Sequence, residues 1–213
     1  MRGVSRRLLR NVSLAALFLG GTSVLYLAID GPPAQRLSVA TAYVGLLLLA
    51  ATLLVGPLSD RSGRATPVST NLRRDIGIWA AIGGLMHTVV GLQVHMRGQV
   101  VRYFVPDTEM GALSKGAIAF LSANYTGLAA TLLLVLLLAI SNDLALRSLG
   151  TARWKRIQRL NYLLFALVVV HGALYLAVDR ATWRLILPFV LIVAVACQIQ
   201  LQGRRSRASG IRQ

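Results

Sequence analysis

Acidic residues are scarce in this chain and cysteine is nearly missing. Its 213 residues include seven Asp and Glu against 23 Lys and Arg, and a single cysteine. One cysteine excludes an intrachain disulfide, and Cys197 reads as a small packing residue inside an apolar run. Charged residues of both signs make up 14% of the chain, whereas a soluble domain carries about a quarter, so composition excludes the soluble globular class. No flavin or nicotinamide fingerprint is present, so any redox chemistry would need its reducing equivalents from elsewhere. No second half repeats the first, which argues against an inverted-repeat transporter.

What the chain has instead is apolar length, with 55% hydrophobic residues. Six stretches free of Asp, Glu, Lys and Arg run over 12–29, 39–58, 76–96, 116–140, 160–178 and 185–203. Each is long enough to cross a hydrocarbon core as a helix. The expected fold is an all-α, polytopic membrane protein, a six-helix transmembrane bundle forming a single domain over 1–213 and leaving no room for a separate soluble domain. Lipid is its first partner.

The excess of positive charge is unevenly placed. The N-terminus, the second and fourth loops and the C-terminal tail hold 17 of the 23 basic residues and three of the seven acidic ones. This alternation is the positive-inside pattern and puts both termini in the cytoplasm of, most simply, a bacterial plasma membrane. It accounts for the charge without nucleic acid. The Arg6-Arg7 pair before the first apolar run resembles a twin-arginine export signal, but no clean cleavage site follows, so an uncleaved first helix is expected. Asn11-Val12-Ser13 and Asn124-Tyr125-Thr126 match the glycosylation pattern, yet both lie at or within spans and are read as chance.

Histidine is the informative residue type. His87 and His171 each sit inside an apolar stretch, each twelve residues after its charged edge at Asp75 and Arg159. With both helices running outward, the two imidazoles reach the same depth, about 18 Å in at ~1.5 Å per residue, past the middle of a core ~30 Å thick. A titratable side chain at that depth is costly and calls for a partner or a function. Two imidazoles facing across a gap can hold one iron from both sides, as in a six-coordinate haem b. Gly83, Gly84 and Gly91 share the His87 face and Gly172 adjoins His171. They would let a porphyrin approach the backbone, or serve close helix packing. Asn124, Tyr125 and Tyr175 are candidates to orient an imidazole through its second nitrogen. His95 lies nearer the outer interface, level with Asp179, and reads as an interfacial histidine or an additional ligand.

The stretch Arg73-Arg74-Asp75-Ile76-Gly77 leading to His87, with Leu149-Gly150, Trp154-Lys155-Arg156-Ile157-Gln158-Arg159-Leu160-Asn161-Tyr162 and then His171, resembles the ferric-reductase-like transmembrane domain. The core of the likeness runs over 73–178. Within that family it is similar to the haem-binding membrane subunits of bacterial methionine-sulfoxide reductase systems. The resemblance implies that His87 and His171 are axial ligands of a b-type haem relaying electrons across the membrane. Relatives with a second, inner haem carry histidines where this chain has Arg74 and Gln158, so one haem is expected here. The donor would be a cytoplasmic flavoprotein, docking at Arg73, Arg74, Trp154, Lys155 and Arg156, or a quinol, with quinone as a second cofactor. The acceptor would be periplasmic or extracellular: a methionine-sulfoxide reductase, a metal or another acceptor. The competing reading is a cofactor-free membrane subunit or small transporter using His87 and His171 to handle protons or a ligand.

Overall fold

The computed structural model of the chain describes residues 2–61, 67–96, 98–105, 115–179 and 182–208. Among these residues there are only helices and turns: α1 (Arg2–Ala28), α2 (Pro33–Arg61), α3 (Pro67–Gly91), a 3-10 turn (Val100–Tyr103), α4 (Lys115–Ala139), α5 (Asp143–Gln158), α6 (Asn161–Val178) and α7 (Trp183–Ala208). Among the described residues five stretches, where six were expected, are long and apolar enough to cross a membrane: Arg7–Ala28, Pro33–Ser59, Lys115–Ala139, Asp143–Val178 and Trp183–Arg205; α3 is not among them. The protein is an integral, multi-pass membrane protein. Leu17, Leu19, Val24 and Leu27 on α1, and Leu187, Val190 and Leu191 on α7, are exposed, as helix faces that meet lipid must be.

Two expectations are corrected. The 76–96 stretch is helical only as far as Gly91, and residues 92–96 form turns. The turn closes where the Gly98 N–H donates to the Leu92 carbonyl at 3.0 Å, with Gly98 at φ +83°, a conformation that glycine adopts without a Cβ penalty. The 141–159 segment between the fourth and fifth spans is helix α5 and not loop. Asn142 caps it by accepting from the Ala145 N–H at 2.8 Å, and Gly150 at φ +71° kinks it.

The chain forms two compact units, Met1–Gly91 with Ile199–Gln213, and Leu92–Gln198. In the first, α2 packs chiefly on α3, and α1 lies against both. The α2–α3 seam is built from small residues. A Cβ on Gly45 would lie 3.4 Å from the Gly84 nitrogen, and one on Gly83 would lie 3.2 Å from Gly45 Cα and 2.9 Å from the Phe18 ring. Backbones in such proximity gain dispersion contacts, which drive helix association where lipid removes the hydrophobic incentive. Ala40, Val44, Leu48, Leu49, Ala80 and Ala81 fill the remaining core. In the second unit, α4 pairs with α6.

A buried carboxylate ties α1 to α3. Asp75 is 1% exposed and accepts from Arg10 Nε at 2.7 Å and from Arg10 Nη2, with Arg7 Nη2 3.6 Å away. One turn along, Trp79 Nε1 donates to Asn11 Oδ1 at 3.4 Å, and Phe18 meets the Trp79 ring at 6.0 Å. Removing one partner leaves an uncompensated buried charge. Arg10→Leu should therefore destabilise the first unit by about 3 kcal/mol in a detergent unfolding titration, with Arg10→Leu/Asp75→Leu recovering most of the loss. A double variant no more stable than the single one would show that the pair does not act as a unit.

Candidate functional site

His87 and His171 are held by the same local construction on different helix pairs. On α3, His87 Nδ1 donates to the Ser38 carbonyl of α2 at 2.9 Å, with Ser38 Oγ at 3.2 Å. On α6, His171 Nδ1 donates to the Ala123 carbonyl of α4 at 2.8 Å. A carbonyl only accepts, so Nδ1 carries the proton in both rings, and in the neutral imidazole Nε2 holds the lone pair. In both helices a threonine follows three residues after the accepting carbonyl. Thr41 Oγ1 donates to the Ser38 and Leu37 carbonyls at 3.0 and 2.8 Å. Thr126 Oγ1 donates to the Ala123 and Ser122 carbonyls at 2.9 and 2.8 Å. Each imidazole thus meets a carbonyl that also accepts from a hydroxyl. Each ring is thus fixed in one tautomer with Nε2 basic, the form in which an imidazole can ligate iron.

Gly127 of α4 makes room for the second ring. A Cβ there would fall 2.7 Å from both Cε1 and Nδ1 of His171, a separation that no side chain tolerates. Sequence reasoning passed over Gly127, Ser38 and Thr41. The available signal is that Gly127 lies three residues after Asn124, itself a candidate to orient an imidazole. Of the glycines it did single out, Gly83 faces Gly45 and Phe18 and Gly84 adjoins Gly45, so α2 occupies that face. A Cβ on Gly91 would lie 3.4 Å from Ser38 Oγ and 3.8 Å from His87 Cε1. Gly172 admits the Phe189 ring of α7, which a Cβ would meet at 2.8 Å.

Asn124 and Tyr175 are brought together beside His171. Tyr175 Oη donates to Asn124 Oδ1 at 2.5 Å, and its ring lies edge-on to His171, centroids 5.0 Å apart. Buried Asn124 also donates to the Tyr103 carbonyl at 2.8 Å. Tyr125 points elsewhere: it is exposed and donates to the Phe104 carbonyl at 3.0 Å. His95 Nε2 lies 3.8 Å from Asp179 Oδ1, so the residues that sequence counting put at one level are neighbours.

Among the basic residues expected to dock a donor, Lys155 and Arg156 are exposed in the last turn of α5, where cations also oppose the helix dipole. Arg73 and Arg74 precede buried Asp75 and are themselves partly covered. Trp154 has a structural use: its indole N–H donates to the Ile140 carbonyl at 2.9 Å, fastening α5 to the end of α4. Gln158 sits between Ser141 Oγ at 3.5 Å and Asn161 Nδ2 at 3.4 Å. Arg74 and Gln158 supply no imidazole.

Comparison with known proteins agrees with this architecture. Residues 40–169 match the family described as ferric reductase like transmembrane component. The match takes in α2, α3 and His87 and stops two residues before His171. An uncharacterized protein of Treponema pallidum (strain Nichols) is 32% identical over 139 residues, covering 65% of this chain and 34% of that protein. The chain spans about a third of that relative's length.

The Gly127–His171 contact is testable without any ligand. Gly127→Ala must push the imidazole off Ala123, and should cost about 1–3 kcal/mol, as overpacking does, in thermal unfolding of detergent-solubilised protein. In a His171→Ala background the same change should cost nearly nothing. Equal penalties in both backgrounds would show that the ring is not what Gly127 accommodates.

Proposed function

The chain belongs to the ferric reductase like transmembrane component family, and from that premise we propose that it is a membrane-embedded haem b electron-transfer protein with His87 and His171 as axial ligands. The observation that carries this reading is the repeated construction at the two histidines: Nδ1 bonded to a helix carbonyl, the carbonyl shared with a threonine, Nε2 left as the basic nitrogen. A histidine serving only as interhelical glue needs no such tautomer control, whereas an iron ligand does. Haem, when bound, supplies one-electron exchange at iron. The chain's part is to orient both rings and to keep water away with apolar helices. His95 stands outside the ligand set, because its Nε2 faces Asp179.

Electrons come from a cytoplasmic flavoprotein or from quinol in the bilayer, and leave to an acceptor on the outer face. The sequence carries no flavin or nicotinamide fingerprint, which favours a separate donor. The exposed pair Lys155 and Arg156 supports docking of an acidic flavoprotein by electrostatic steering.

His87→Ala and His171→Ala should each abolish the low-spin spectrum of the purified protein, and His95→Ala should keep it. Pyridine haemochrome assay should give one haem per chain. A bis-imidazole spectrum surviving in His171→Ala would sink the ligand assignment.

For the donor, Lys155→Gln/Arg156→Gln should slow haem reduction by an acidic flavoprotein roughly tenfold at low salt, and flatten its salt dependence, with the spectrum unchanged. An unaltered rate would leave these residues as topology signals and favour quinol.

A further inference from the structure

His95 stands at the far end of a short ladder of rings that leads to His171. Its imidazole stacks on Tyr175, centroids 5.6 Å apart and planes 25° from parallel. The other side of Tyr175 meets His171 edge-on. Phe120 of α4 closes against His95 at 5.7 Å and against Tyr175 at 6.2 Å. His95 and His171 are therefore one tyrosine ring apart, yet no ring contact joins them directly.

The backbone around His95 is fixed from beneath. Its N–H and that of Met96 donate to Tyr103 Oη at 3.0 and 3.1 Å, and Tyr103 is 2% exposed. The Tyr103 carbonyl accepts from Asn124, whose Oδ1 accepts from Tyr175. A chain of hydrogen bonds through Tyr103 and Asn124 thus links the His95 backbone to the ring it stacks on. Among the described residues, the titratable or charged groups facing His95 are Asp179 and Tyr175 of α6 and Tyr103 of the 3-10 turn, while α4 presents uncharged Phe120. The His95 and Asp179 side chains are 29% and 35% exposed, so neither is sealed inside the protein.

An exposed ion pair adds little stability, and a chain with so few acids does not need a carboxylate beside a histidine for solubility. The pair does provide a charge that switches with one proton. His95 bears a charge only when protonated, and Asp179 Oδ1 lies 3.8 Å from its Nε2. Across a single ring, in a bundle flanked by hydrocarbon, the charge is felt far more strongly than in water.

We propose that His95, held by Asp179, is a redox-linked proton site. It takes one proton from the adjoining water when one electron arrives at the haem centre held by His171, and returns it when the electron passes to the acceptor. The electron comes from the flavoprotein or quinol donor and the proton from solvent, so charge balances at each step. The sign follows from linkage: the added negative charge raises proton affinity at His95, so protonation favours the reduced state and the midpoint potential rises as pH falls. This inference rests on the haem reading above.

The test is a spectroelectrochemical titration of the full-length, haem-loaded protein between about pH 5 and 9, a window that contains the ordinary imidazole range. The potential should climb toward acid pH in the wild type. In His95→Phe, which keeps the stacked ring, the slope should be lost while the bis-imidazole spectrum stays. Asp179→Asn, which removes the carboxylate facing His95, should weaken the dependence of the potential on pH, and serves as the second variant should His95→Phe fail to insert. Proton uptake on reduction, read with an indicator dye in weak buffer, should disappear in His95→Phe. A wild type without a haem spectrum would overturn the haem reading and this inference with it. A haem spectrum whose potential ignores pH, or whose slope survives in His95→Phe, would overturn the proton site alone.

Discussion

A hydrogen-bond donor placed among apolar helices must find an acceptor, and in this protein the acceptor is almost always a helix carbonyl. Thr41, Thr52, Thr126 and Thr131 return their hydroxyls to carbonyls one turn back. Gln200 reaches the Leu53 carbonyl, Trp154 that of Ile140 and Asn124 that of Tyr103. The cost of an unmet donor in hydrocarbon is several kcal/mol, so these bonds fix rotamers as firmly as packing does. His87 and His171 obey the same constraint, and their reactive geometry is a by-product of it. Once Nδ1 has been claimed by a carbonyl, the tautomer and the ring plane are both decided.

Close helix approach is the second device, and glycine supplies it in two distinct ways. At Gly45 and Gly83 the missing side chains let two backbones meet. At Gly127 the space is filled by an imidazole, and at Gly172 by the Phe189 ring. The same residue type therefore serves helix association in one place and side-chain accommodation in another. Charge is handled differently: Asp75 is buried under Arg10 at the end of its apolar stretch, where the guanidinium compensates what burial costs the carboxylate.

Much of this was legible from residue order alone. The apolar runs located α1, α2, α4, α6 and α7, and counting from the charged edges placed Asp179 level with His95, where the structure pairs them. Helix α5 was not legible, because its polar, basic composition mimics a loop and its cap and kink rest on Asn142 and Gly150. The early end of α3 was hidden too, since Leu92 and Val94 continue the apolar run while Gly98 reverses the chain. At the site, the histidines announced themselves by the expense of placing them in hydrocarbon. Their supports did not. Ser38 and Ala123 act through backbone carbonyls, which carry no side-chain signature, and Gly127 acts by having no side chain at all.

The shared carbonyls carry one more consequence. Ser38 and Ala123 each divide their lone pairs between an imidazole and a threonine three residues on. Each carbonyl is therefore a shared acceptor, and the His87 Nδ1 proton has Ser38 Oγ within reach as well, at 3.2 Å. In the proposed centre this sharing would leave each ring neutral with a basic Nε2, the form in which His87 and His171 would hold the iron. With both positions taken by imidazole, such a centre would pass electrons without a partner bonding to the iron.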